Sequence, residues 1–181
     1  MNYKMMGKLV AQMLFVETLF MLPAMAICLY YQENTALFAF LQTIVIAIAI
    51  TGILYLICKS APTAIGAKDG LASIGISWVA ISLVGCLPFY FSKEIPQFID
   101  AFFEIVSGFT TTGASVVANV EGLSHGILYW RSFSHWLGGM GVLVFLLAID
   151  PMGSSSLHLL RAESPGPSVG KIVPKMKQGK G

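Results

Sequence analysis

The part of the sequence best suited to chemistry is a run of three threonines followed by glycine, alanine and serine at 110–115. The carbonyl and hydroxyl oxygens of threonine can replace water around a desolvated cation, and Gly113 can adopt backbone angles that turn carbonyls toward one axis. In a soluble protein such a run usually forms only a turn. The candidate ion-binding residues are Thr110, Thr111, Thr112, Gly113 and Ala114.

Ser115, which ends this run, supports an alternative hypothesis: an intramembrane serine hydrolase with His125 or His135 as the base. The hypothesis is weak because the run lacks the G-x-S-x-G sequence that presents such a serine at the start of a helix. Here the serine follows the threonines at a point where a helix is expected to end. We therefore favour ion binding without covalent catalysis, and we do not expect an enzyme.

Disulfide, metal and cofactor chemistry are not indicated by the remaining reactive side chains. The sequence contains three cysteines and three histidines: Cys28, Cys58, Cys86, His125, His135 and His158. The cysteines lie in apolar runs without C-x-x-C spacing, and the histidines have no partners at the spacing of metal ligands. We expect no zinc site, no disulfide framework and no cofactor.

The elements that must position the threonine run lie in a membrane. Only 11% of the 181 residues are charged and the formal charge is +2, whereas a soluble domain carries about 25% charged residues. This composition excludes a cytosolic enzyme with a solvated surface, and the small net charge argues against a nucleic-acid partner. A membrane-spanning helix needs about 20 residues. Four apolar segments satisfy this, at 9–31, 35–58, about 70–91 and 130–149.

The distribution of basic residues predicts the orientation of these four spans. With the N-terminus in the cytoplasm, only two of the 11 basic residues, Lys93 and Arg131, fall on the outer side. Basic residues favour the cytoplasmic side. We therefore expect a cytoplasmic N-terminus, and an outer segment that begins and ends on the outside between the third and fourth spans.

The outer segment is predicted to contain a short helix at 96–108, with proline near its start and glycine at its end. Such a helix is about 20 Å long, too short to cross a bilayer. Its apolar stripe is formed by Phe98, Phe102, Ile105 and Phe109, whereas Asp100 and Glu104 share another face. The chain at 110–115 is then expected to lead back toward the outer side as non-helical backbone. Such backbone is tolerated at membrane depth only where it is buried in protein or lines a water-filled cavity. The negative end of the helix dipole favours a cation there.

Two carboxylates lie within predicted membrane regions. A buried charge is costly, so we hypothesise that Glu104 pairs with Arg131 and that this pair clamps the short helix to the fourth span. The alternative is that Arg131 extends to lipid headgroups and Glu104 faces water. Glu17 in the first span is interpreted as a protein-facing or protonated structural residue, with an ion path as the alternative.

Small and aromatic residues of the fourth span have simpler interpretations. Gly138, Gly139 and Gly141 predict close helix packing. The aromatic cluster that includes Trp130 and Trp136 predicts a belt at the membrane interface.

These features together resemble the Trk/Ktr/HKT superfamily of potassium transporters, within it the TrkH-type membrane subunits. The resemblance rests on the motifs DAFFE at 100–104, SGFTTTGAS at 107–115, WRS at 130–132, WLGGMG at 136–141 and ESPGP at 163–167, followed by Lys171 and Pro174. It implies an all-α polytopic membrane protein: two N-terminal transmembrane helices in 1–60, then one helix, re-entrant pore loop, helix repeat in 61–150. The repeat comprises a helix at about 70–91, a pore helix at 96–108, a filter at 110–115 and a helix at about 130–149. A cytoplasmic connector at 151–181 follows.

The resemblance also implies a function and partners. Potassium would be the substrate, held at Thr111, Thr112 and Gly113, with this chain supplying one quarter of a selectivity filter. The implied setting is the bacterial cytoplasmic membrane, with a homodimer and a cytoplasmic nucleotide-binding regulatory subunit of the TrkA kind. The sequence holds one repeat where four are implied, so we expect a truncated chain, or alternatively a tetramer of short chains.

Overall fold

The computed structural model describes residues 3–59 and 67–149, with side chains for 3–59 and 72–141, and every regular element in these ranges is helical. The helices are α1 (Tyr3–Tyr30), α2 (Asn34–Cys58), α3 (Ala67–Gly85), α4 (Leu87–Phe91), α5 (Phe98–Phe109) and α6 (His125–Ile149), with a 3-10 turn at Val120–Gly122. The predicted all-α polytopic fold class is confirmed. The connector expected at 151–181 lies outside the described residues.

In the described part of the chain, three segments are long and apolar enough to cross a membrane: Tyr3–Tyr30, Asn34–Cys58 and Ala72–Phe91. These segments correspond to the first three predicted spans. All three are helical, as expected in lipid, because a helix satisfies its own backbone hydrogen bonds where lipid offers no partners. α6 has 25 residues and covers the fourth predicted span. That α6 crosses the membrane stays a prediction.

The bundle is built around α1, which packs against α2, α3 and α6. α2 lies at the periphery and leaves large apolar side chains such as Phe38, Val45 and Ile53 exposed. In a membrane protein such a face is suited to lipid, where exposed apolar side chains carry no cost.

The third span is interrupted between α3 and α4. Pro88 has no N–H to donate and its ring crowds the preceding turn, so the helix breaks near Cys86. The carbonyl of Gly85 at the break accepts a hydrogen bond from Nε1 of Trp130, at 2.8 Å. Trp130 is fully buried, and its indole satisfies the broken helix. That it lies at the depth of the membrane interface stays a prediction.

α5 is shifted by one or two residues from the predicted short helix. It covers Phe98–Phe109 and is about 18 Å long. Gln97 has extended backbone angles, with φ −92° and ψ 126°, so Pro96 precedes the helix. At the other end Gly108 does not stop the helix, because the N–H of Thr110 still bonds to the carbonyl of Val106.

The buried face of α5 also differs from the predicted apolar stripe. Ile105 and Phe109 are buried as expected, whereas Phe98 is 39% exposed. Glu104, predicted on a separate polar face, is only 1% exposed. This burial is possible because the carboxylate has partners in the neighbouring elements, described below.

Carboxylates from two other loops hold the N-terminus of α6. Glu33, between α1 and α2, accepts hydrogen bonds from the backbone N–H groups of His125 and Gly126. Glu94, before α5, accepts from the N–H and hydroxyl of Ser124. Helix N-termini carry free N–H groups and a partial positive charge, so they attract such carboxylates. These contacts join the ends of three helices.

The charge state of Glu33 is set by the same contacts. Partial burial acts to raise the pKa of Glu33, but hydrogen bonds from the backbone and ring of His125 and the backbone of Gly126 lower the pKa overall. The ring of His125 also stacks on Tyr31, with centroids 3.7 Å apart.

Candidate cation site

The five candidate residues, 110–114, form one exposed loop directly after α5. The N–H groups of the three threonines donate to carbonyls at 106–108, in the last turn of the helix, at 2.9 to 3.0 Å. The loop therefore starts by wrapping the carbonyl end of α5. That end carries the negative pole of the helix dipole, which favours a cation.

The backbone then turns through two residues with left-handed angles. Thr111 has φ 56° and Gly113 has φ 76°. Glycine adopts this conformation freely, but a β-branched threonine there is strained by about 1–3 kcal/mol. Strain of this kind persists where surrounding contacts hold the backbone in place. The left-handed angles turn the carbonyls of the loop away from the direction they would have in a helix.

The threonine hydroxyls are occupied by partners in the loop and in the last turn of α5. Thr110 Oγ1 donates to the carbonyl of Val106 at 2.8 Å and lies 2.8 Å from Thr112 Oγ1. Thr111 Oγ1 donates to the carbonyl of Thr110 at 2.7 Å. These hydroxyls shape the loop, which leaves the backbone carbonyls as the oxygens suited to bind an ion.

The carbonyls of the loop fall into two groups. Ala114 accepts a hydrogen bond from Ser107 Oγ at 2.5 Å. In the described part of the chain, the carbonyls of Thr111, Thr112 and Gly113 accept no hydrogen bond. The three residues expected to hold the ion are therefore the three whose carbonyls are unoccupied, and Ser107 is a supporting residue that the sequence argument missed.

Glu104 secures the far end of the loop. Its carboxylate accepts hydrogen bonds from the hydroxyl of Ser115, at 3.0 and 3.1 Å, and from the N–H of Val116, at 3.0 Å. One buried side chain on α5 thus holds the end of the loop that lies farther along the chain. The sequence gives no local signal for these contacts, because the partners are 11 and 12 residues apart.

Arg131 on α6 also reaches this carboxylate. Its Nε lies 2.5 Å from Glu104 Oε1, and the side chain is 16% exposed. The structure thus brings together the two residues that the sequence argument paired. That the contact fixes the position of the loop stays a prediction.

α6 packs unusually closely against the end of α5. A Cβ placed on Gly138 would overlap the backbone of Phe109, and one on Gly108 would overlap the hydroxyl of Ser134. These glycines allow the two helices to touch at the start of the loop, as the packing interpretation of Gly138 predicts. Gly141 has a different role, because its φ of 67° interrupts the helical path of α6.

The hydrolase alternative has no support. Ser115 Oγ is bonded to Glu104, His125 Nδ1 lies 2.7 Å from Glu33, and His135 Nδ1 lies 2.9 Å from the carbonyl of Arg131. A serine nucleophile needs a base within hydrogen-bond reach, and neither histidine contacts the serine. Among the residues that the structure describes, no group of three or more His, Cys, Asp or Glu side chains could hold a metal ion.

Comparison with known proteins assigns the chain to a family. Residues 36–178 match the model of the TrkH family of cation transport proteins. The Trk system potassium uptake protein TrkG of Escherichia coli (strain K12) is 36% identical over 167 residues, 91% of this chain and 34% of that protein. TrkH of Salmonella typhimurium (strain LT2) is 34% identical over 169 residues, 92% of this chain and 35% of that protein. An uncharacterized cation transporter of Methanocaldococcus jannaschii is 29% identical over 143 residues, 78% of this chain and 29% of that protein. The chain therefore spans about a third of the length of these curated relatives.

Proposed function

Because this chain belongs to the TrkH family of cation transport proteins, we propose that it forms part of a transporter that takes up potassium ions across a cell membrane. The observation that carries the proposal is the exposed loop after α5, with unoccupied carbonyls at Thr111, Thr112 and Gly113. Relatives named as potassium uptake proteins cover 91% and 92% of the chain and support the choice of ion.

The loop acts by replacing water. A potassium ion loses its hydration shell when backbone carbonyls surround it, and a single loop supplies only part of such a shell. This chain contributes one quarter of the filter, and equivalent loops supply the rest. α5 adds the negative end of its dipole, while Ser107 and Glu104 hold the loop at its two ends.

The proposal includes an arrangement in the membrane. Residues 1–60 form two N-terminal transmembrane helices, 61–150 form the first pore-loop repeat, and 151–181 form a cytoplasmic connector. The protein lies in the bacterial cytoplasmic membrane with its N-terminus inside. The complete transporter is a homodimer that binds a cytoplasmic nucleotide-binding regulatory subunit of the TrkA kind.

Ion flux tests the function directly. The complete transporter that contains this chain is reconstituted in lipid vesicles, and uptake of potassium and of sodium is measured against empty vesicles. We expect potassium uptake to exceed sodium uptake clearly. Ser115→Ala is expected to reduce but not abolish flux, because Val116 and Arg131 still hold Glu104. Absence of flux, or equal flux of the two ions, would overturn the proposal.

A further inference from the structure

Glu17 is a buried carboxyl group that the cation site does not use. It lies in the middle of α1 and is 4% exposed. Neither of its carboxylate oxygens has a hydrogen-bond partner among the described residues. Glu104 is equally buried yet has three donors. Buried polar groups are almost always satisfied, so the free oxygens of Glu17 indicate a ligand.

The carboxyl group borders a small cavity between four helices. The cavity has a volume of about 30 Å³. Its other walls include Phe20 from α1, Trp78 and Ile81 from α3, Phe109 from α5 and Leu137 from α6. A water molecule needs about 10–15 Å³ of such space. The cavity therefore accommodates about two water molecules beside the carboxyl group.

The surroundings of Glu17 select a proton over a metal cation as its ligand. A bound cation would need several oxygen ligands, and the described lining residues other than Glu17 are apolar. None of these described residues is basic. An ionised carboxylate here would be an uncompensated charge at membrane depth, which is costly. A neutral carboxylic acid carries no charge and can donate a hydrogen bond from its O–H to water.

Among the residues whose side chains the structure describes, titratable groups on the adjacent helices do not compensate the charge. Cys86, at the junction of α3 and α4, carries a neutral thiol that donates to the carbonyl of Leu83. On α5 and α6, Glu104 and Arg131 pair with each other. His135 bonds to the carbonyl of Arg131.

Glu17 also lies against the helix that leads to the loop. A Cβ on Gly85 would come within 2.6 Å of Glu17 Oε1, 3.1 Å of Ile105 and 3.3 Å of Phe109. The carboxyl group and the last turn of α5 therefore approach the same point of α3. The carbonyl end of α5 is partially negative, so a negative charge on Glu17 would repel it and disturb the packing of α5 against α3.

We propose that Glu17 is a proton-binding site, a neutral carboxylic acid hydrogen-bonded to water in the cavity behind α5. Infrared spectroscopy of the native protein in lipid tests this, because a carboxylic acid has a C=O stretching band that a carboxylate lacks. At neutral pH we expect such a band, sensitive to exchange into D₂O, and its loss in Glu17→Gln. Asp100→Asn, which removes a partly exposed carboxyl from α5, is the control and should keep the band.

A second variant and a second readout complete the test. Gly85→Ala places a methyl group against Oε1 and should shift the frequency of the band. Unfolded chain releases this proton above about pH 4.3, the ordinary pKa of glutamate, so wild-type protein should lose thermal stability relative to Glu17→Gln as the pH rises. Absence of the acid band, its retention in Glu17→Gln, or equal pH dependence of both proteins would overturn the proposal. Neither readout uses ion flux, so a failure here is distinct from a failure of the potassium proposal.

Discussion

Single residues decide where the loop carbonyls point. Gly113 has a left-handed φ of 76°, and a Cβ added there would meet no atom within 4 Å. There is room for a side chain at this position, so it is the left-handed backbone conformation that favours glycine. A residue with a side chain would favour other backbone angles and carry the neighbouring carbonyls with it.

Gly113→Ser is predicted to weaken the preference for potassium over sodium. A side chain costs about 1–2 kcal/mol in this conformation, which corresponds to a shift of about tenfold toward other backbone angles, and the displaced carbonyls no longer fit potassium. Competitive uptake of the two ions by the native transporter measures the effect, and membrane insertion should be unchanged. Gly75→Ser is the matched control, because Gly75 also has open space around it but lies in ordinary helix α3. Full selectivity in Gly113→Ser would remove Gly113 from the filter.

At the scale of elements, α5 and α6 contact each other at two points. Gly138 brings α6 onto the backbone of Phe109, and Arg131 reaches Glu104 one to two turns earlier on α5. The contact of Gly138 lies at the start of the loop. Arg131 contacts Glu104, the residue that binds the end of the loop. We therefore expect a movement of α6 to change the position of the loop.

A double-mutant cycle on Glu104 and Arg131 tests this connection. Breaking a buried ion pair costs about 3–5 kcal/mol, because the remaining charge is uncompensated. Glu104→Gln and Arg131→Gln should each lower thermal stability and flux, and the double variant should lose less than the sum. Asp100→Asn, on the same helix but partly exposed, should have little effect. Strictly additive losses would show that the contact does not act as a clamp.

A second prediction at this scale concerns Glu33, which accepts hydrogen bonds from the N-terminus of α6. Hydrogen bonds hold the pKa of Glu33 below the ordinary value of glutamate, which is about 4.3. The stabilisation is therefore fully present above that value and disappears as the pH falls through the lowered pKa of the folded protein. Glu33→Gln should lower stability by about 1 kcal/mol at neutral pH.

The pH dependence of thermal unfolding provides the measurement. The difference between wild-type protein and Glu33→Gln should vanish in acid, where both side chains are uncharged. Glu121→Gln is the control, because Glu121 is exposed in the 3-10 turn. A difference that is independent of pH would mean that Glu33 acts through packing instead of charge.

Across the whole molecule, local features were predictable from sequence and contacts between distant helices mostly were not. The first three spans follow from uninterrupted apolar length, and the turn at Gly113 follows from residue type. The burial of Trp130 could not be predicted, because it depends on a free carbonyl 45 residues earlier. The contact between Ser107 and Ala114 was missed for a related reason, since it depends on how the loop folds back. Glu104 and Arg131 could be paired because opposite charges at membrane depth are few.

The orientation of the whole bundle gives the last prediction. Only Lys93 and Arg131 of the 11 basic residues are expected outside, and basic residues favour the cytoplasmic side. A membrane-impermeant thiol reagent applied to intact cells should therefore label Lys93→Cys and Glu121→Cys, which replace exposed residues. Lys175→Cys, outside the described residues, should react only after the cells are opened. The native Cys28, Cys58 and Cys86 are buried and should give little background. Labelling of position 175 in intact cells, with positions 93 and 121 protected, would reverse the orientation and place the loop after α5 at the cytoplasmic face.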